Sequence, residues 1–204
     1  AAFVFDDGGS GPEQTATVNA TLDLGTQPPF VVDAIDEGDS YTPAGSTRLT
    51  ITDVYTTPTD SGTRVVTRVT LEGERAGDTI DYDGAPPRLG RTLEVITGEY
   101  EVEGQLRALG RGDELTTGTT TVLVRDVFSE SDVEALNPGD SVTVAGRRVA
   151  IVENVTVQPT DDPARRRVYT TLNLSTLTRD GVVRFGGQRL RSGQSFRMVA
   201  PEFT

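Results

Sequence analysis

The chain has 204 residues, a formal net charge of −12 and 35% hydrophobic residues, which fits one large or two small domains. It contains no Cys and no His, so disulfides and the usual zinc, copper and iron ligand sets are excluded. The acidic balance argues against nucleic acid and anionic membrane surfaces as partners.

In chain order, the first element is an apolar stub, Ala1, Ala2, Phe3, Val4 and Phe5, followed by the Gly-rich linker DDGGSGPEQ. Residues 1–16 together read as a stub or short strand with its linker. No stretch of the sequence is long enough to span a bilayer. TVNATLDLG at residues 17–25 reads as a strand. PPFVVDAI at 28–35 reads as a short helix with Pro29 at its first helical position, where a missing N–H costs nothing. The helix runs into a Gly38-Asp39 turn. In RVVTRVTLEG the alternation puts Val65, Thr67, Val69 and Leu71 on one face of a strand. EVEGQLRALG, residues 101–110, reads as a closing strand.

The same order then recurs. AIDEGDSYTPAG (34–45) is answered by ALNPGDSVTVAG (135–146), and YDGAPPRLGRTLEVITGEY (82–100) by FGGQRLRSGQSFRMVAPEF (185–203). Gly38 pairs with Gly139, and Gly84 with Gly187. TTTVLVRDV (119–127) repeats the opening strand, and SESDVEAL (129–136) the helix, with Ser131 and Glu134 at capping-box spacing. RVYTTLNLST repeats the long strand, with Val168, Thr170, Leu172 and Leu174 on the matching face. The opposite faces differ, Val66, Arg68, Thr70 and Glu72 against Tyr169, Thr171, Asn173 and Ser175, as in sheets packed on one side. The predicted fold is mostly β: two tandem homologous units, each a small barrel or sandwich with one short helix, at residues 17–112 and 113–204. The first unit has a closing strand after Tyr100; the second stops at Phe203-Thr204. Either the natural chain is trimmed or runs on, or the second sheet has an open edge suited to strand addition.

All 19 basic residues are Arg, against 31 acidic ones. An acidic, Lys-free surface suits concentrated salt, where screening reduces self-repulsion; GC-rich codon usage favours the same Arg bias. LGRTLEVITGEYEVEGQLRALG, FGGQRLRSGQSF, TLDLGTQPPFVVDAIDEGD and TDVYTTPTD resemble a family of membrane-anchored β proteins of unknown function, common in halophilic archaea and also found in cyanobacteria. The resemblance covers residues 17–204. It implies a single N-terminal transmembrane helix not included in this sequence, ending near residues 1–5, then a linker and a soluble β region. It lends no catalytic residues.

Asn19, Asn154 and Asn173 each head an N-glycosylation sequon, and the remaining Asn, Asn137, precedes Pro. An exported, glycosylated protein is one reading; coincidence in a Thr-rich chain is the other. The acidic groups at Asp6-Asp7, at Asp36, Glu37 and Asp39, and at Asp161-Asp162 lack cation-loop spacing and read as solvated turns. Asp81, Asp83, Glu99, Glu101 and Glu103 flank one hairpin, but the glutamates alternate along an ordinary polar strand face. Arg111-Gly112-Asp113 sits in a Gly-rich connector, and Arg165-Arg166-Arg167 reads as a hairpin rim. Arg147, Arg148, Arg184, Arg189, Arg191 and Arg197 make the second unit the less acidic one. No catalytic, cofactor-binding or metal-ligating residue is assigned, and no cofactor is expected.

The leading expectation is a non-enzymatic extracytoplasmic surface or envelope protein acting by protein–protein contact, with itself or with other envelope proteins as partner. In its sharpest form, residues 1–5 of one molecule add a strand to the second unit of the next, which generates a filament. The alternatives are a module holding a glycan, cation or partner between the units, and a membrane-anchored accessory subunit.

Overall fold

A computed structural model describes residues 15–59, 61–110, 115–179 and 181–195. The first unit comprises β1 (Thr15–Gln27), α1 (Pro29–Ala34), β2 (Ser40–Tyr41), β3 (Arg48–Thr59), β4 (Gly62–Ala76), β5 (Thr79–Asp81), β6 (Thr92–Ile96) and β7 (Glu101–Leu109). The second comprises β8 (Leu115–Ser129), α2 (Glu130–Glu134), β9 (Ser141–Val144), β10 (Arg147–Pro159), β11 (Arg165–Arg179), β12 (Val182–Phe185) and β13 (Gln188–Arg189). The fold is mostly β, in two curled sheets: a near-barrel and a half-barrel.

The two sheets share one plan. In the first the order is β2-β3-β4-β1-β7-β6, with β5 also on β4. In the second, β9-β10-β11 continues to β8, with β12 and β13 folded back beside β11. The repeat extends to single hydrogen bonds. Gly38 N–H donates to Ile51 O at 2.8 Å and Ile51 N–H to Asp39 O at 2.8 Å; Gly139 and Val152 repeat this at 2.8 Å, with Val152 N–H donating to Asp140 O at 2.8 Å. The Asp39 carboxylate accepts from Asp36 N–H at 3.0 Å, and Asp140 from Asn137 N–H at 2.7 Å. Gly38 and Gly139 hold φ at 97° and 95°, a region where a side chain is strained. A register shift follows at Ile51/Asp53 and again at Val152/Asn154. Each turn carboxylate thus holds its own turn, by accepting from the backbone N–H three residues earlier.

Both expected inner faces are buried: Val65, Thr67, Val69 and Leu71 on β4, and Val168, Thr170, Leu172 and Leu174 on β11. The core of the first unit adds Leu22, Leu24, Val32, Ile35, Leu49, Ile51, Ile80, Tyr82, Leu93, Val95 and Leu106. That of the second is smaller and centres on Val142, Val149, Val152, Leu172, Leu174 and Phe185. The reason is closure. In the first sheet β7 pairs with β1 over residues 20–23 and carries β6 with it, and the terminal strands β2 and β6 approach each other. Gly104 lets β7 pass over the core, since a Cβ there would sit 2.6 Å from Leu24 Cδ2. In the second sheet β8 pairs with β11 alone among the described residues.

Two sequence expectations need correction. The N-cap of α2 is Ser129, whose hydroxyl accepts from Asp132 N–H at 3.3 Å, and not Ser131 with Glu134. β8 stays extended through Ser129, so the cap falls at the last residue before the helical turn. The outer face of β4 is also not wholly solvated. Val66 is buried with Tyr55 and Ala108, and Leu177 of the second unit packs against them.

The pairing partners make Leu22 (opposite Thr67) and Val124 (opposite Thr170) equivalent positions, yet Leu22 is fully buried and Val124 half-buried. Leu22→Ala is expected to cost about 3–4 kcal/mol and Val124→Ala about 1 kcal/mol, read by urea unfolding. Equal costs would contradict an open second sheet.

Candidate functional site

Two places offer more than ordinary surface. One is the outer edge of β8, and the other is a cleft where the two units meet.

The β8 edge follows from topology. Its long pairing with β11 runs from Leu115 to Ser129, and no strand covers its other side among the described residues. The positions equivalent to Ala20 and Leu22 are Val122 and Val124, given by their partners Leu172 and Thr170. Both valines are half-buried against the second core, while Leu123 on the opposite face is 69% exposed. An unpaired edge next to a partly covered apolar face is a template for another strand.

The cleft is built from two outer faces. On the first unit, Asp23 is buried at the bulge of β1. One carboxylate oxygen accepts from Gly25 N–H at 3.1 Å; the other pairs with the Arg64 guanidinium and lies 3.5 Å from Arg107 Nε. From the second unit come Leu177 and Arg179 at the end of β11, Arg184 on β12, and the turn at Gly186-Gly187. Tyr55 Oη donates to Ser175 O at 2.8 Å, and Gly186 N–H donates to Thr57 Oγ1 at 2.8 Å. The turn must be glycine. Its φ angles are 59° and 75°, and a Cβ on Gly186 would meet Pro58 O at 2.8 Å. Further along the junction, Arg147 donates to Ile35 O at 3.3 Å and lies 3.5 Å from the Asp36 carboxylate. The cavity there is about 110 Å³; among the described residues it is lined by Arg64, Arg107, Arg179 and Arg184 with a single carboxylate, Asp23. An open groove of about 310 Å³ lies elsewhere on the first unit, with Tyr41, Tyr82, Asp83, Glu94 and Glu103 on its walls.

The sequence-predicted residues fall as follows. Asn19 and Asn154 are exposed on β1 and β10. Asn173 lies on the outer face of β11, half-buried, with its amide donating to Glu153 at 2.7 Å and accepting from Thr121 at 2.6 Å. Arg165 and Arg166 form a rim, donating to Val127 O at 3.1 Å and to Glu130 at 2.8 Å. Glu101 and Glu103 are exposed on either side of buried Val102. No group of three or more His, Cys, Asp or Glu side chains is arranged to hold a metal ion among the described residues. No helix among them is long and apolar enough to cross a membrane. Residues 1–5, Asp6-Asp7, Arg111-Gly112-Asp113 and Arg197 lie outside the described residues. The convergence of arginines around Asp23 is what sequence reasoning missed; the only hint was the richness of the second unit in Arg.

These features define a mostly β protein of two tandem curled sheets. A scan against protein-family models, a search of curated proteins and a search of solved structures each found no match.

Three phenols are buried. Burial pushes Tyr55 up from 10.0 to about 12. Burial also raises Tyr82, reinforced by the Asp83 charge, and it raises Tyr100, reinforced by the Asp39 carboxylate that accepts its hydroxyl. A raised phenol leaves stability intact below pH 10, where folded and unfolded chains are both protonated. Above it only the unfolded chain ionises, so stability falls, by about 1.4 kcal/mol per pH unit for each such tyrosine. Ultraviolet absorbance titration of the folded chain should therefore show late ionisation of these tyrosines. Urea midpoints should drop from pH 10 upward, with a shallower drop in Tyr55→Phe. A flat midpoint across that window would contradict the burial.

Proposed function

We propose that this is a non-enzymatic surface or envelope protein acting by protein–protein contact, and that it assembles head-to-tail through β8. In this reading residues 1–5 of one molecule pair with the outer edge of β8 in the next, over the stretch where β7 pairs with β1. The carrying observation is that inequality of edges: among the described residues β1 is paired on both sides and β8 on one.

The proposed occupant matches the site in chemistry and length. The β1–β7 pairing involves only residues 20–23 on β1, so five residues suffice. In an extended AAFVF, Phe3 and Phe5 share one face and are suited to the side where Val122 and Val124 are half-covered. Residues 6–14 can extend about 30 Å at roughly 3.3–3.6 Å per residue, enough to reach a neighbour. Main-chain hydrogen bonds would supply affinity and the aromatic pair register. Apolar burial is not screened by salt, so such a contact suits an acidic, Lys-free protein in concentrated salt. Because donor and acceptor are different surfaces, the contact is head-to-tail and propagates as a filament wherever its rotation does not close into a ring.

An extracytoplasmic location, membrane-anchored or, in the assembling form, released from its anchor, belongs to the same proposal; exposure of Asn19 and Asn154 supports it. A glycan- or cation-holding module is the second reading, and the groove beside Tyr41 and Tyr82 favours it.

The chain has no cysteine, which makes cross-linking unambiguous. Val4→Cys mixed with single cysteines placed in turn along Thr116–Val127 should give intermolecular disulfides clustered near Val122. Deleting residues 1–7 should leave the circular dichroism spectrum unchanged and abolish polymers in sedimentation. Polymers that survive the deletion, or the absence of disulfides between Val4→Cys and the β8 variants, would overturn the assembly.

A further inference from the structure

The cleft between the units carries an inference independent of assembly: we propose that it is a binding site for a small oxyanion, a sulfate, phosphate or carboxylate group, held between arginines of both units.

The charge balance is the first argument. Residues 17–112 hold sixteen acidic and eight basic residues, and residues 113–204 twelve and eleven. Within this acidic chain, four guanidinium groups and one carboxylate line a single cavity among the described residues. Arginine stays charged at any ordinary pH, so the cluster cannot relieve its repulsion by losing protons. Asp23 is already committed to Gly25 N–H and to Arg64 and Arg107. It offsets one positive charge, and among the described lining residues no second carboxylate faces Arg107 and Arg184.

Unused donors are the second argument. Arg184 Nε is buried without a hydrogen-bond partner, and Arg107 Nε is buried with only the Asp23 carboxylate near it, at 3.5 Å, too long and poorly placed for a hydrogen bond. Arg184 also donates from Nη1 to Gly187 O at 3.3 Å, a long contact. Buried, unsatisfied N–H groups on charged side chains are costly, and an acceptor bearing negative charge removes that cost. A guanidinium fork suits an acceptor with two or more oxygens better than a monatomic ion. The cavity, about 110 Å³, holds roughly three or four water volumes at about 30 Å³ each, room for such a group with a water.

The position gives the site a consequence. Arg64 and Arg107 belong to the first sheet, and Arg179 and Arg184 to the second. An oxyanion bound among them bridges the units beside the Tyr55–Ser175 and Gly186–Thr57 hydrogen bonds, so occupancy stiffens the junction.

The test uses the full chain at constant ionic strength, with sodium chloride replaced stepwise by sodium sulfate, phosphate or acetate. Saturable shifts of the backbone amide resonances of Tyr55, Leu177 and Gly187, with a matching calorimetric Kd, are the expected result. Saturation by sulfate or phosphate identifies an inorganic oxyanion as a ligand, saturation by acetate a carboxylate, and either supports the site. Arg184→Gln should weaken binding roughly tenfold or more, Arg184→Lys should weaken it while keeping the charge, and Asp23→Asn should tighten it. The wild-type titration stands even if a variant fails to fold. Shifts that never saturate, that fall elsewhere on the chain, or that are the same in Arg184→Lys would overturn the proposal.

Discussion

A β-strand has two edges, and the fold of this protein turns on what covers the second edge of its two opening strands. β1 lies between β4 and β7, so its backbone is paired on both sides and its inner leucines are sealed. β8 lies beside β11 alone among the described residues, and the valines at matching positions are half-covered. Backbone N–H and C=O groups require partners, and apolar side chains gain stability in proportion to the area removed from water. Both needs are met in the first sheet by the β6–β7 hairpin, which Gly104 allows to lie close over Leu22 and Leu24. The size of each core, the near-barrel against the half-barrel, and the proposed meeting of molecules all descend from that difference.

The duplicated plan is carried by short-range chemistry more than by the strands themselves. In each unit an Asp caps the turn before the second long hairpin, and a glycine with φ near 95° lets the chain return to the sheet. The bulge that follows re-aims the strand at the same position in both copies. Inner faces keep Val, Leu and Thr because they meet the same kind of packed interior. Outer faces diverged, and one of them was recruited to join the units.

That junction combines apolar contact with concentrated positive charge. Leu177 covers Tyr55, Val66 and Ala108, while the glycine pair at 186–187 brings β12 close enough for backbone to meet Thr57. The arginines around Asp23 border this contact, where partial desolvation makes each unmet donor and each unbalanced charge matter more than on open surface. Elsewhere single arginines meet single acceptors, as Arg166 meets Glu130 and Arg91 meets Tyr82 O and Ala85 O. In the cleft several arginines gather about one carboxylate, Asp23.

Much of the fold was legible in the residues. Alternation along Val65 to Leu71 and Val168 to Leu174 named the buried faces, Pro29 marked the start of a helix, and the recurring Gly-Asp turns exposed the duplication, because each depends on local periodicity or local dihedral preference. The cap at Ser129 was misjudged because it depends on where β8 ceases to be extended, which its pairing with β11 governs. Burial of Val66 and the gathering of Arg64, Arg107, Arg179 and Arg184 about Asp23 left no local trace. They come from positions 23 to 184: pairing within the first sheet gathers Asp23, Arg64 and Arg107, and contact with the second adds Arg179, Arg184 and Leu177. Periodicity decides which side of a strand faces inward, whereas only the packing of one unit on the other decides which charges share a cavity.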